Sequence, residues 1–263
     1  MMKTLPNEWK KAAIEAAEKL DKAGPEEIIR WAVDLLGDKL VLSSSFGADS
    51  SALLHLTSQI APKTRVAFLD TGWHFDETLD YRREIAEKLN LNVVDLVTEG
   101  GHDHFKAEFG ELWRTDTDKC CHLNKTEPWR KFLINEGVAG WMAGIRRESG
   151  GLRAQIKVVE LATVMDDDGQ PQEFIKIHPM ANWEKKTIWT HIFKYELPYN
   201  KLADDDGYKS IGCWPCTRRV GEGEDERAGR WSGSAKTECG LHTMSAPIAV
   251  SEEWEEGDAE PSS

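Results

Sequence analysis

No stretch of the 263-residue chain is apolar for long enough to cross a bilayer, and Met1-Met2-Lys3-Thr4-Leu5-Pro6 do not build the apolar segment of a secretory signal. The expectation is a cytoplasmic protein with no membrane partner. Positive charge is scarce as well: 33 Lys and Arg stand against 46 Asp and Glu, a formal net charge of -13. Unspecific attachment to nucleic acid or to an anionic membrane needs a dense basic surface, which this balance excludes. Part of the surplus is local, since Glu252, Glu253, Glu255, Glu256, Asp258 and Glu260 crowd the last residues with no Lys or Arg among them, as in a solvated tail. Cysteine occurs only five times, an odd count. In a reducing compartment that reads as metal binding plus a reactive thiol sooner than as a disulfide framework. There is no internal repeat and no long low-complexity segment.

What is present suits a packed globular domain: 40% hydrophobic and 30% charged residues, at a length that fits one α/β domain with extensions. Apolar positions recur at helical spacing over residues 7–36 (Trp9, Ala12, Ala13, Ala16, Leu20, then Ile28, Ile29, Ala32, Val33, Leu36), broken at Gly24-Pro25, which predicts two helices. Residues 39–42 read as a buried strand running into Ser43-Ser44-Ser45-Phe46-Gly47-Ala48-Asp49-Ser50, followed by a helix over 51–59. Strands over 65–69 and 92–97 flank a helix over 76–89, and the first of these ends in Asp70-Thr71-Gly72. Residues 139–143 and 174–178 could extend the sheet, and 183–195 reads as a further helix. Strands alternating with helices imply right-handed crossovers and a parallel sheet, with ligands beyond its carboxyl edge. From about residue 202 the composition turns to Gly, Asp, Arg and Trp with weak periodicity, as in loops draped over a site. Trp9, Trp31, Trp183 and Trp189 fall at helical core positions and are assigned to packing.

A loop of small residues between strand and helix lets backbone N–H groups approach an anion, and the helix N-terminus adds favourable partial charge. The loop over 43–50 has this composition without the Gly-x-x-x-x-Gly-Lys pattern of a P-loop, and a plain helix cap is the competing reading. Cys120-Cys121 and Cys213-x-x-Cys216 form two distant pairs, as four thiolates around one metal centre require when two segments converge. Zinc and a 4Fe-4S cluster both accept four cysteines, so spacing leaves the metal open. Adjacent ligands sit more easily on separate iron corners than on one zinc ion, which tips the expectation toward iron and sulfur. The bland alternative is four buried thiols acting as small hydrophobes. Cys239 remains, in Lys236-Thr237-Glu238-Cys239-Gly240-Leu241-His242, where Lys236 or His242 as cations would lower a thiol from about 8.5 and Glu238 would oppose them. His102-x-His104 reads as solvated or near a nucleotide rather than as a metal site.

Taken in order, Ser44-Ser45-Phe46-Gly47-Ala48, Leu69-Asp70-Thr71-Gly72, Gly144-Ile145-Arg146-Arg147-Glu148-Ser149, Arg227-Ala228-Gly229-Arg230-Trp231 and Glu238-Cys239-Gly240-Leu241-His242 resemble the adenylyl-sulfate and 3'-phosphoadenylyl-sulfate reductase family of the PP-loop (adenine nucleotide alpha hydrolase-like) superfamily. The resemblance runs from about Leu40 to His242. It implies an α/β fold, a parallel twisted sheet flanked by helices, with a loop-rich C-terminal segment carrying the catalytic cysteine. It divides the chain into a helical extension (1–38), a nucleotide-binding core (39–212) and a cluster-ligating, catalytic segment with an acidic tail (213–263). Within the family the paired cysteines accompany a 4Fe-4S cluster and a preference for adenylyl sulfate. The chain therefore resembles an assimilatory adenylyl-sulfate reductase with Cys120, Cys121, Cys213 and Cys216 as cluster ligands and Cys239 as nucleophile.

The same resemblance makes Lys125, Arg227 and Arg230 the catalytic cations, with Arg147 assisting and Lys236 near the thiol, while Ser44, Ser45, Phe46, Gly47, Leu69, Gly144 and His242 bind the nucleotide. Thioredoxin or a similar dithiol protein is the implied electron donor, and a homo-oligomer is expected. Two departures bear on selectivity. Phe46 stands where pyrophosphatase relatives have the first Gly of Ser-Gly-Gly-x-Asp-Ser, which speaks against ATP cleavage. Asn124 stands where cluster-bearing relatives usually have Arg and looks like the phosphoadenylyl branch, so a 3'-phosphoadenylyl-sulfate or dual-substrate reductase is the alternative. Further rivals are an ATP-using PP-loop enzyme of tRNA thiolation and a non-catalytic cluster sensor.

Overall fold

Gly24-Pro25 splits the first amphipathic stretch into α1 (Asn7–Lys19) and α2 (Pro25–Leu36), with proline in the first turn, where a missing N–H costs nothing. Strands and helices then alternate as β1 (Leu40–Ser43), α3 (Ser51–Ile60), β2 (Arg65–Leu69), α4 (Asp76–Leu89) and β3 (Asn92–Leu96). Four shorter helices, α5 (Gly101–Phe109), α6 (Leu112–Thr115), α7 (Thr117–Cys121) and α8 (Glu127–Asn135), lead to β4 (Gly140–Ala143). A hairpin of β5 (Val159–Met165) and β6 (Pro171–Ile177) precedes α9 (Lys185–Lys194), and β7 (Ala246–Pro247) comes last. This computed structural model describes residues 4–205, 207–231, 236, 238 and 240–248. Cys239 and the acidic tail lie outside them. Among the described residues no helix is long and apolar enough to cross a membrane.

Among the described residues seven strands form one sheet in the order β3-β2-β1-β4-β6-β5-β7, parallel from β3 to β6, with β5 antiparallel to both β6 and β7. The parallel sheet expected from the alternation is thus correct for its centre. The antiparallel edge departs from that expectation, because residues 159–165 form a strand despite weak apolar alternation. From β1 the chain moves outward through β2 and β3, then returns to β4 on the other side of β1. The carboxyl ends of β1 and β4 therefore flank a topological switch point, where open α/β sheets bind ligands.

Side chains alternate across the pleat, so each central strand feeds two cores. Leu40, Leu42, Phe68, Met142 and Ile175 pack with α1, α2, α3, α4 and α9 residues such as Ile29, Leu54, Ile85 and Ile192. Val41, Ala67, Trp141, Ala143 and Phe174 face Trp129, Phe132 and Leu133 of α8. Trp9, Trp31, Trp183 and Trp189 pack half-buried against the first core, as expected. Among the described residues the indoles of Trp129 and Trp141 are fully buried, and their ring centroids lie 4.9 Å apart. The N-terminal helices belong to the same body: buried Lys10 reaches Glu173 of β6 at 2.7 Å, and that carboxylate also accepts the Leu5 N–H.

The loop after β1 is held by Phe46, a non-glycine residue with φ 47° and no exposed surface. A left-handed backbone costs an L-residue about 1–2 kcal/mol. Burial of the ring offsets this, against Phe68 at 5.3 Å and Tyr81 at 6.1 Å. The Phe46 N–H donates to Ser44 Oγ at 3.1 Å, and its carbonyl accepts from the buried Asn200 Nδ2 at 3.2 Å. The Tyr81 hydroxyl meets Ser50 Oγ at 3.0 Å and Ser51 Oγ at 2.6 Å, tying the start of α3 to α4.

Two stability measurements follow from this packing. Phe46→Ala is expected to lose about 3–5 kcal/mol in urea unfolding, and Phe46→Gly to recover roughly 1 kcal/mol of that because glycine adopts positive φ freely. Equal losses would show that the backbone carries no strain there. His178, after β6, is buried and donates Nδ1–H to the Lys157 carbonyl at 2.7 Å; burial holds its pKa down to about 4, with Lys176 adding to the effect and the carbonyl opposing it. An unfolded chain takes up this proton near 6.5, so the stability due to neutral His178 is complete above that value and lost as pH falls toward 4. The contribution is at most about 1.4 kcal/mol per pH unit. His178→Asn should flatten the decline in unfolding free energy between pH 6.5 and 4, and an unchanged slope would refute the assignment.

Candidate functional site

A cavity of about 490 Å³ opens at the carboxyl ends of β1, β2 and β4, within the size range of small-molecule sites. Ser44, Ser45 and Gly47 line it from the β1 loop, Leu69 and His74 from the end of β2, and Gly144 and Arg146 from the end of β4. Lys125 enters from the turn between α7 and α8, and Arg227, Arg230, Glu238, Leu241 and His242 from the C-terminal segment. The switch point thus brings together most residues that the sequence blocks single out.

Three of them go elsewhere. Phe46 turns into the core and supports the loop from beneath. Arg147 points away, donating to the Ile156 carbonyl at 2.9 Å, Asn182 Oδ1 at 2.6 Å and Asp21 Oδ1 at 2.6 Å, so it fastens the β4 loop to the α1–α2 connection. Lys236 pairs with Asp118 of α7. Arg146 takes the inward place instead: its backbone is extended, so its side chain and that of Arg147 leave on opposite sides. Arg146 is buried between Asp49, at 3.0 Å, and Glu148. Arg153, Lys185 and Lys209 also line the cavity and were not anticipated.

Arg230 sits in a cradle made for it. A Cβ on Gly212 would lie 2.1 Å from its guanidinium, while Nη1 donates to the Ile211 carbonyl at 3.1 Å and the group lies 4.5 Å from the Trp231 ring centroid. Gly229 is forced similarly, because a Cβ there would come within 2.2 Å of the Arg218 carbonyl oxygen, across the bridge between Thr217 and Arg230.

The histidines of the cavity are neutral. His242 stacks on Trp141 at 5.5 Å with an interplanar angle of 17°, and burial, helped by Arg153, Lys176, His178 and Arg227, holds its pKa well below the ordinary value. The expectation of His242 as a cation beside the thiol is therefore corrected. His74 lies against Phe68 and donates Nε2–H to the Leu69 carbonyl at 2.9 Å; burial takes it down to about 4.

Cys120, Cys121 and Cys216 line a small adjoining pocket with Trp73, Trp113 and Asn124, and Cys213 and Lys125 line both this pocket and the large cavity. The expected 4Fe-4S cluster and the cluster-bearing branch are corrected here. Among the described residues no group of three or more His, Cys, Asp or Glu side chains is arranged to hold a metal ion. Burial, reinforced by the neighbouring thiols, pushes Cys120 up to about 12 and Cys216 up to about 11. Burial would raise Cys213 too, but Lys125, the Thr71 hydroxyl at 3.3 Å and Arg230 together hold it below its ordinary value. The four residues do not fit the cluster as ligands, and the iron-sulfur and metal-binding readings fall with it. Asn124 donates Nδ2–H to the Cys120 carbonyl at 3.1 Å and belongs to this pocket, not to the large cavity.

The sequence profile of the phosphoadenosine phosphosulfate reductase domain matches residues 39–219. An adenosine 5'-phosphosulfate reductase of Geobacillus kaustophilus is 40% identical over 221 residues, which cover 83% of this chain and 90% of that protein. One from Streptomyces coelicolor is 39% identical over 239 residues, covering 89% and 95%. The crystal structure of a phosphoadenylyl-sulfate (PAPS) reductase from Candida auris, in a phosphate complex, superposes with a TM-score of 0.66 at 28% identity, over 81% of this chain and 97% of that one. The matched span holds the β1 loop, the end of β2, Lys125 and the end of β4, and the C-terminal residues Arg227, Arg230, Glu238, Leu241 and His242 that complete the cavity lie beyond it. The chain belongs to the phosphoadenosine phosphosulfate reductase domain family, built on a mostly parallel PP-loop-type α/β sheet.

Proposed function

We propose that this chain is a cytoplasmic, thiol-dependent reductase of sulfate assimilation that releases sulfite from adenylyl sulfate and from its 3'-phosphorylated form alike, with thioredoxin or a similar dithiol protein as reductant. The observation that carries the reading is the convergence of the β1 loop, Leu69, Lys125, Arg227 and Arg230 on one cavity next to Glu238 and His242, the residues that flank position 239 in its motif. With the cluster assignment gone, one ground for preferring adenylyl sulfate goes too, and the names of the relatives 36–40% identical remain as the other. The relatives carry the names of both nucleotides, and Asn124 matches the phosphoadenylyl pattern. We keep residues 39–212 as the nucleotide-binding core and 213–263 as the segment that brings the nucleophile.

The Cys239 thiolate attacks the sulfuryl sulfur in line. An S–S bond forms, the bond from sulfur to the bridging phosphate oxygen breaks, and its electron pair leaves on AMP or on adenosine 3',5'-bisphosphate. Negative charge grows on the bridging and phosphate oxygens, so Lys125, Arg227 and Arg230 aimed there lower the barrier most. Arginine forks hold such oxygens two at a time and fix the line of attack. The loop of Ser44, Ser45 and Gly47 at the N-terminal end of α3 receives the phosphate, and the Leu69 backbone faces adenine. A donor thiolate then attacks Cys239 sulfur, sulfite departs with the electron pair of the S–S bond, and the donor's second thiol resolves the mixed disulfide. Sulfur(VI) becomes sulfur(IV) as the dithiol becomes a disulfide.

Sulfite production with thioredoxin is expected from both nucleotides, with kcat/KM values within about tenfold, or 1.4 kcal/mol, of each other. Turnover of only one nucleotide would refute the dual reading. Cys239→Ser should bind AMP as the wild type does and make no sulfite, and measurable turnover would remove the assigned nucleophile. Gly212→Ala, by pushing the Arg230 guanidinium from its cradle, should lower kcat about 10²-fold at unchanged thermal stability. An unaffected kcat would take Arg230 out of the chemistry.

A further inference from the structure

The cavity's guanidinium groups already have an anionic partner. Arg153 donates Nε–H to Glu238 Oε1 at 2.9 Å and Nη2–H to Oε2 at 3.1 Å, a two-pronged pair, and Arg227 Nη2 lies 3.1 Å from the same Oε2. The Glu238 side chain is 13% exposed and each arginine 20%, so water screens the three charges little. All three residues line the cavity. Arg153 arrives from the turn Gly151–Gln155 and Arg227 from the C-terminal segment, so a single carboxylate joins two separate walls.

A carboxylate offers a guanidinium fork the same pair of anionic oxygens as a phosphate or sulfate group does. One fork cannot hold both. Two shielded cations without a counter-ion would be costly, so the protein needs an anion at this place whether or not a nucleotide is bound. Resting on the reading of the cavity as a sulfonucleotide site, we propose that Glu238 is a positioning residue whose carboxylate competes with the acid group of the nucleotide for Arg153 and Arg227. The incoming anion takes over the arginines and releases Glu238, the residue that directly precedes Cys239 in the chain. By linkage the coupling is reciprocal: whatever anion binding does to the hold on Glu238, that hold does to the affinity for the anion.

The test is isothermal titration of the full-length protein with AMP, which carries the acid group, and with adenosine, which does not. Glu238→Gln should bind AMP about fivefold more tightly or better, with adenosine affinity unchanged. A purely structural role would not separate the two ligands. A folded Glu238→Gln that binds AMP no more tightly than the wild type overturns the inference alone, whereas a wild type that binds neither ligand overturns the nucleotide reading and the inference with it. Should circular dichroism show Glu238→Gln unfolded, Glu238→Asp, which keeps the charge but withdraws it by one methylene, must tighten AMP by a smaller factor, and unchanged affinity there also overturns the inference.

Discussion

The cavity depends on one side chain that never enters it. Phe46 occupies a left-handed backbone position in the loop after β1 and drives its ring between Phe68 and Tyr81. That anchor sets the course of Ser44, Ser45 and Gly47 along the cavity wall, with Asn200 and Ser44 satisfying the Phe46 backbone groups. A glycine would take the same φ at no steric cost but would leave the loop without a pin. The chain thus exchanges backbone ease for side-chain burial at the place where a phosphate-binding loop must keep its shape.

Around this wall the charges are balanced locally, although the chain as a whole is acidic. Arg146 is held by Asp49 and Glu148, Lys185 by Glu226, and Arg153 and Arg227 by Glu238. Such pairs order long side chains and compensate shielded cations, so the site is preorganised rather than assembled on demand. The neutral state of His74 and His242 fits the same arrangement, because burial strips the hydration an imidazolium would need and nearby cations add to the effect.

Much of the fold was legible because β1, β2, α3 and α4 are short periodic runs bounded by turn residues, and their limits match the sequence pattern within a residue or two. Residues 174–178 were legible as a strand of the sheet, whereas their hairpin partner β5 was not, although Asp168-Gly169 marks the turn, with Gly169 at φ 73°; weak alternation over residues 159–165 hid that strand. In the site, residues at strand ends were readable since topology alone takes them to the crevice. Which of Arg146 and Arg147 faces inward was not, because that depends on one extended φ/ψ pair, and Arg153 gave no local signal at all. The cysteine spacing foretold convergence correctly, but convergence into an apolar pocket among indoles is not a ligand set.

Delivery of a sulfuryl group from this cavity to the thiol at position 239 is the step on which the proposed chemistry turns. Intact-mass analysis of the reduced protein after incubation with adenylyl sulfate and no dithiol donor tests it most directly. A single added sulfonate is expected, which peptide mapping places on Cys239 and thioredoxin removes. No adduct, or an adduct on Cys120, Cys121, Cys213 or Cys216, would contradict it.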